Sequence, residues 1–314
     1  MTDFQQFVFT PAGLGDASLA IAASRAGAVG VYNAELDADA ATALRGLAQL
    51  ARYGRGAWGI KLAALDDAMA AGLRGQAGLG WLIVDAASAP AWTGLFDGLR
   101  SAGTQVLVEV QTPQPLPDAL LSHVDGVLVK GNEAGGFVGE DASFILLQKW
   151  LQRGGPLPLY LRGGLTPHVA AACSAVGVAG GVLESQLLLL DEVRLPDTLR
   201  TLIGNLAGSE TVAVGDGEHG SYFRVLLRPN LAATKAFVAE ADGLAGDALQ
   251  AQVRSRGTGW QDMTRGLLPI GQEVAFAAPW RKQYGQLGAV LQAVREAIAG
   301  HARLAARQPP LLEG

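Results

Sequence analysis

The sequence predicts an α/β protein: a (β/α)8 barrel of the TIM type with an additional C-terminal hairpin and helical segment. Three observations carry this reading. Short apolar runs end repeatedly at glycine, charge or small polar residues, the mark of strands buried on both faces. A helical stretch follows nearly every run, about eight times in succession, and alternation of that length favours closure over an open sheet. Past Gly208 the rhythm changes to apolar and polar residues in alternation, which suits an antiparallel hairpin.

Taken in order, residues 7–10 read as the first strand, before Pro-Ala-Gly-Leu-Gly and a helix over 17–25 that Asp16 can cap. A strand at 28–32 runs into Asn33 and a helix over 38–53. Strands at 58–62 and 81–84 lead to helices over 66–74 and 91–101. A strand at 105–110 precedes a Pro-broken connection, 112–117, and a short helix to Ser122. Strands at 127–130 and 159–162 feed helices over 142–152 and 167–175, and a strand at 181–183 precedes a helix over 196–206. Segments 210–214 and 223–227 flank Gly-Asp-Gly-Glu-His-Gly, a hairpin with a mobile tip. Helices over 231–242, 247–256 and 285–306 follow, with Trp280-Arg281-Lys282-Gln283-Tyr284 as a packing or partner face. The expected division is a barrel over 1–208, a hairpin and helical appendage over 209–307, and a linker-like tail over 308–314. The Pro-rich tail suggests one domain of a larger polypeptide.

Composition removes several function classes. With 314 residues, 49% of them hydrophobic, the chain can bury a large core. A net charge of −5 without any Lys/Arg block argues against a nucleic-acid partner. One cysteine, Cys173, fits a reducing compartment. The start MTDFQQFVFT lacks the features of a signal peptide, and Asp191 interrupts the greasiest run. The expectation is a cytoplasmic protein with no membrane partner.

Barrel chemistry sits at the C-terminal ends of the strands. Those ends carry Pro11 and Gly13, Asn33, Lys61, Asp85, Glu109 and Gln111, Lys130 with Glu133, Arg162–Gly164, and Glu184 with Ser185. The strongest local signal is Arg162-Gly163-Gly164-Leu165-Thr166-Pro167. Its glycines let a ligand approach the backbone, Thr166 can cap, and Pro167 suits the first helical position, so a phosphate is the expected guest. A strand-to-helix turn that merely needs glycine explains the same residues. Asp85 and Glu109 can pair as acid and base, although a rim salt bridge or cap is the commoner role. Cys173, among alanines, reads as a small core residue, and no cluster has metal-ligand spacing.

Three motifs in order add a resemblance: KGNEAGG at 130–136, RGGL at 162–165 and GVAGGVLESQLLL at 177–189. Together with TPAGLGDASLAIAASRAGAVGVYNA at 10–34, they resemble the nitronate monooxygenase family over roughly residues 7–191. That family includes FMN-dependent enoyl-acyl carrier protein reductases and enoyl reductase domains of polyketide and polyunsaturated fatty acid synthases. The resemblance implies an FMN oxidoreductase that reduces carrier-bound enoyl thioesters with NAD(P)H. Its phosphate site would fall on Gly163, Gly164, Glu184 and Ser185, beside Arg162, Gly135 and Gly136. Flavin-ring neighbours would be Ala12, Gly13, Lys61 and Lys130, and either lysine could supply the cation near the ring. Lys130, Glu133 and position 137 would carry the chemistry.

Two departures weigh against turnover. The family histidine is replaced by Phe137, which cannot move a proton; His123 and His168 are its nearest substitutes in sequence. Glu184-Ser185 stands where the family has a small pair such as Gly-Thr, and a carboxylate beside a phosphate costs affinity unless it points away or pairs with a cation such as Arg162. The alternative is a non-catalytic structural or docking barrel of a polyketide or fatty acid synthase, and nitronate oxidation ranks last. Implied partners are an acyl carrier protein or neighbouring synthase domains, with a homodimer left open.

Overall fold

Runs such as Val-Gly-Val-Tyr-Asn at 29–33 bury every residue, and only a parallel sheet covered on both faces allows that. The computed structural model describes residues 4–216, 221–228 and 231–305. In it, β1 (Gln5–Phe9), β2 (Val29–Asn33), β3 (Trp58–Leu62), β4 (Trp81–Asp85), β5 (Gln105–Val110) and β6 (Gly126–Lys130) follow in order around a closed barrel. A short strand, β7 (Gly136–Val138), leaves the barrel, which β8 (Leu159–Arg162) and β9 (Gly180–Leu183) complete. Closure comes from the pairing of Gln5 with Gly180 and Val8 with Leu183.

Strand periodicity sorts the side chains. Phe7, Ile83, Leu107, Leu128, Tyr160 and Val182 form one buried cluster, with Phe7 edge-on to Trp81 and Tyr160 at 4.9 and 5.5 Å. Two residues further along β5, β6 and β8 the same face presents Glu109, Lys130 and Arg162, so a charged layer lies above the apolar one. The register seats the ends side by side: Asn33 with Lys61, Asp85 with Glu109, Lys130 with Arg162.

Helices sheathe the barrel. Ser18–Arg25 presses close to β2, because a Cβ on Gly30 would lie 1.9 Å from the Ala20 carbonyl oxygen. Leu287–Ala305 lies along Pro167–Ala175, its Leu287, Val290, Leu291 and Val294 buried in the cluster that also holds Trp260 and Trp280. Trp280 is therefore a packing residue.

The appendage is not a separate layer. β10 (Thr211–Asp216) and β11 (Ser221–Leu226) form the expected hairpin, and β11 pairs with β7, Phe223 opposite Phe137. Periodicity does not announce β7, which is only three residues long and finds its partner through the hairpin. Helices Ala232–Ala241 and Gly246–Arg256 back this small sheet, enclosing Phe223, Phe237, Leu249 and Val253. The chain then recrosses the barrel mouth: the Trp260 indole donates to Ala12 O at 2.8 Å and Leu226 N to Leu268 O at 2.9 Å. A 3-10 turn at Gln272–Phe276 and a helix at Ala277–Gln283, neither apparent in the sequence pattern, lead into the last helix. Most of the hairpin tip and the Pro-rich tail lie outside the described residues.

Gly30→Ala forces backbone against backbone, with no side chain able to yield. Overpacking of this kind costs about 1–3 kcal/mol; urea unfolding should show a lower midpoint with an unchanged slope, and an unaltered midpoint would contradict the close approach.

Candidate functional site

The charged layer is a closed ionic network. Arg162 is its hub: Nη1 lies 2.7 Å from Glu109 and 3.5 Å from Glu35, and Nη2 lies 2.9 Å from Glu184. Nε donates to the second Glu184 oxygen at 3.1 Å, and the guanidinium sits 5.1 Å from the centre of the Phe9 ring. Lys61 meets Glu109 at 3.2 Å and donates to Leu62 O at 3.1 Å. Lys130 lies 3.6 Å from Glu35 and 3.9 Å from Glu109. Asn33 donates to Glu184 at 3.1 Å. Three cations thus face three carboxylates, all buried. Ionised groups survive such burial only when paired and hydrogen-bonded.

The balance differs from group to group. Burial would raise the Glu109 carboxyl, but Arg162, Lys61 and Lys130 outweigh it and hold it well below the usual range. Glu35 is likewise pulled down against its burial by Lys130, Lys61 and Arg162. Burial would lower Lys61, yet Glu109, Glu35 and Asp85 push it up. Lys130 goes the other way, lowered by burial and by Arg162 beyond what Glu35 and Glu109 restore. Its ammonium has no hydrogen-bond acceptor among the described residues, whereas Glu109 Oε1 has the Lys61 ammonium beside it.

The expected phosphate cradle is built but refilled. Gly163 and Gly164 adopt φ of +114° and +64°, which side chains disfavour. Against them lies the Glu133 carboxylate, 3.1 and 3.3 Å from where their Cβ atoms would stand. Glu133 also accepts from Ser143 N at 2.9 Å and from the Ser143 hydroxyl, capping helix Ser143–Arg153. Past β9, Glu184 N donates to Gln186 Oε1 at 2.9 Å, and Ser185 Oγ accepts from Gly271 N at 3.1 Å. Thr166 Oγ1 accepts from Val169 N. A further carboxylate, Glu273, is buried here with Oε2 unpartnered among the described residues. Burial, then Glu184 and Glu133, push it up to about 8. Three glutamates converge here: Glu133 against the glycine turn, Glu184 held by Arg162 and Asn33, and Glu273 beside them. The residues present do not fit the phosphate of FMN.

The remaining candidates separate. Ala12 and Gly13 offer their carbonyls to Trp260 and Thr258. Gly135 and Gly136 form the connection into β7; a Cβ on Gly135 would strike Pro269 O at 2.3 Å. Phe137 stands 5.0 Å from Phe223, edge to face, inside the cap's aromatic cluster. His123 pairs with Asp97 at 2.8 Å on the outside, and His168 is exposed on its helix, so neither substitutes for the missing imidazole. Asp85 accepts from Gln111 at 3.3 Å and from Ala87 N, and burial raises it. Burial pushes the Cys173 thiol up to about 11, the behaviour of a core residue. Among the described residues no acidic, His or Cys cluster could hold a metal, and no helix is long and apolar enough to cross a membrane. A cleft of about 710 Å³ opens where Gly13, Glu35, Leu62, Phe223 and Thr258 meet.

No protein-family model matches the chain, and no curated protein sequence does. Solved structures resemble it along nearly their whole length. FabK from Thermotoga maritima is 18% identical with a TM-score of 0.77, covering 97% of this chain and 96% of its own. A nitroalkane oxidase from Streptomyces ansochromogenes is 17% identical with a TM-score of 0.73, covering 97% and 98%. The enoyl reductase domain of MlnA, from the macrolactin biosynthesis cluster of Bacillus amyloliquefaciens, is 10% identical with a TM-score of 0.65, covering 98% and 96%. At these identities the likeness is one of fold. It takes in the cap as well as the barrel.

Two measurements test the site's electrostatics. Arg162→Met leaves three buried carboxylates without their shared partner, and about 3–5 kcal/mol of stability should be lost in chemical unfolding. A smaller loss than about 1 kcal/mol would mean the network is wetter than its burial implies. Glu273 has a folded value of about 8, above the ordinary 4.5. Its contribution to stability is therefore complete below about pH 4.5 and lost as pH rises towards 8, at up to ~1.4 kcal/mol per unit. Glu273→Gln should flatten that slope and leave stability at pH 5 nearly unchanged.

Proposed function

We propose that this chain is a barrel of the enoyl reductase and nitronate monooxygenase type that does not hold FMN. It serves as a structural or docking domain beside the catalytic domains of a polyketide or fatty acid synthase. One observation carries the reading: at the ends of β8 and β9 the phosphate's place holds Glu133, Glu184 and Glu273, with Arg162 committed to Glu184 and Glu109. A phosphate dianion arriving there would meet the Glu133 and Glu184 carboxylates at close range, where like charges repel most strongly, with Glu273 beside them as a neutral acid. The position of the family histidine supports the same reading, since Phe137 packs in the cap and offers no proton. Implied partners are an acyl carrier protein or a neighbouring synthase domain, in the cytoplasm.

The competing reading is an FMN-dependent enoyl reductase using NAD(P)H on carrier-bound enoyl thioesters. The likeness to FabK and to the MlnA enoyl reductase domain favours it, as does the intact glycine turn at Gly163–Gly164. It requires Glu184 and Glu273 to leave the cradle when a ligand enters.

The visible spectrum of the purified protein separates the two. The expected protein is colourless, releases no flavin on denaturation, shows no saturable uptake of added FMN, and does not accelerate NAD(P)H oxidation by an enoyl thioester. A yellow protein that yields FMN would overturn the proposal and restore the reductase.

A further inference from the structure

Two lysines stand buried in one ionic layer, and their settings differ. Lys61 is gripped, 3.2 Å from Glu109 and donating to Leu62 O at 3.1 Å. Lys130 is 0% exposed, its nearest carboxylate oxygens are 3.6 and 3.9 Å away, and its nitrogen has no acceptor among the described residues. Both contacts are too long for hydrogen bonds. A lysine placed in this way, with an arginine in the same layer, is the one best able to lose its proton and expose a lone pair. The direction of its shift agrees, downward through burial and Arg162.

Lys130 also lies behind the cleft. Glu35 lines that cleft and reaches back to within 3.6 Å of the Lys130 nitrogen. Gly136 bounds the space over both groups: a Cβ there would stand 3.8 Å from Lys130 Nζ and 3.8 Å from Glu35 Oε1. A glycine there leaves room for one further group beside both, and Glu35 is the residue that joins this space to the cleft. Leu36, Leu62, Met69, Phe223 and Leu267 give the cleft an apolar side that suits a hydrocarbon body, and Asp37, Asp39, Asp66 and Arg254 are among its polar residues.

We propose that Lys130 is a carbonyl-reactive amine, which forms an imine with an aldehyde or ketone of apolar body entering through the cleft past Glu35. This rests on the reading that no flavin occupies the mouth. In the step, the Lys130 ammonium first passes a proton to the Glu35 carboxylate; its lone pair then forms a C–N bond to the carbonyl carbon, and the C=O π electrons move to oxygen, which takes that proton from Glu35. Glu35 takes a proton from the nitrogen and returns one to the hydroxyl. The C–O bond breaks, water leaves, and the C=N bond forms. Ammonium plus carbonyl gives protonated imine plus water, so charge is conserved and no oxidant or reductant is consumed. The protonated imine keeps its charge between Glu35 and Glu109.

The chain has five lysines, Lys61, Lys130, Lys149, Lys235 and Lys282, so the test reads cleanly. Whole protein is incubated at neutral pH with hexanal and sodium cyanoborohydride, which fixes an imine as a hexyl amine, then mapped by peptide mass spectrometry. The expected result is one hexyl group per chain on Lys130, ahead of exposed Lys149, Lys235 and Lys282, with Lys61 unmodified. Glu35→Gln should slow this labelling by about 100-fold, the lower range for general acid–base help, while an unchanged rate would remove Glu35 from the step. Labelling confined to the exposed lysines, or shared equally by Lys61 and Lys130, overturns the proposal without need of any variant. Flavin content measured on the same sample decides the proposed function separately, because the peptide map reads Lys130 whether or not the protein is yellow.

Discussion

Charge neutrality inside a closed barrel is the condition on which this structure depends. Six ionisable groups share a space from which water is largely excluded, and the desolvation of each is of a size that could unfold a domain. They are tolerated because Arg162 touches Glu35, Glu109 and Glu184 at once, and the two lysines complete the count. A barrel filled this way has a rigid polar plug above its apolar layer. The plug fixes where the strand ends lie as firmly as packing does below it.

The same condition explains the altered cradle. Glu184 would be intolerable at the end of β9 without Arg162 at the end of β8, and Arg162 would be equally costly without Glu184. Each residue supplies the reason for the other, and Arg162 is thereby committed to carboxylates of the chain itself. Glu273 lacks such a partner and avoids the cost by staying neutral.

Much of this was legible in the sequence, and the rest was hidden for physical reasons. Element order, barrel closure and the residues at strand ends follow from local periodicity, so Lys61, Glu109, Lys130, Arg162 and Glu184 could be named one by one. Their convergence could not be read, because it depends on closure and on register between strands far apart in the chain. Glu35 escaped notice since it lies two residues beyond β2, where strand alternation no longer indicates direction. Glu273 belongs to a 3-10 turn that no pattern marks, and it reaches the cradle only because the chain recrosses the mouth. The sequence shows position 137 as a phenylalanine in place of a histidine, but its role in the cap's aromatic cluster depends on β7, whose pairing is with the distant β11.

That small strand bears on how the molecule is made. β7 is synthesised within the barrel half of the chain but bonds only to β11, so its edge stays open until the hairpin emerges. Contacts of such sequence separation form late and slow the search for the native state. Pairing Phe137 with Phe223 therefore ties completion of the barrel mouth to the arrival of the cap. A nascent chain halted near Gly208 would carry a barrel with an unfinished rim and an unpaired edge, the kind of surface that invites wrong partners on the ribosome.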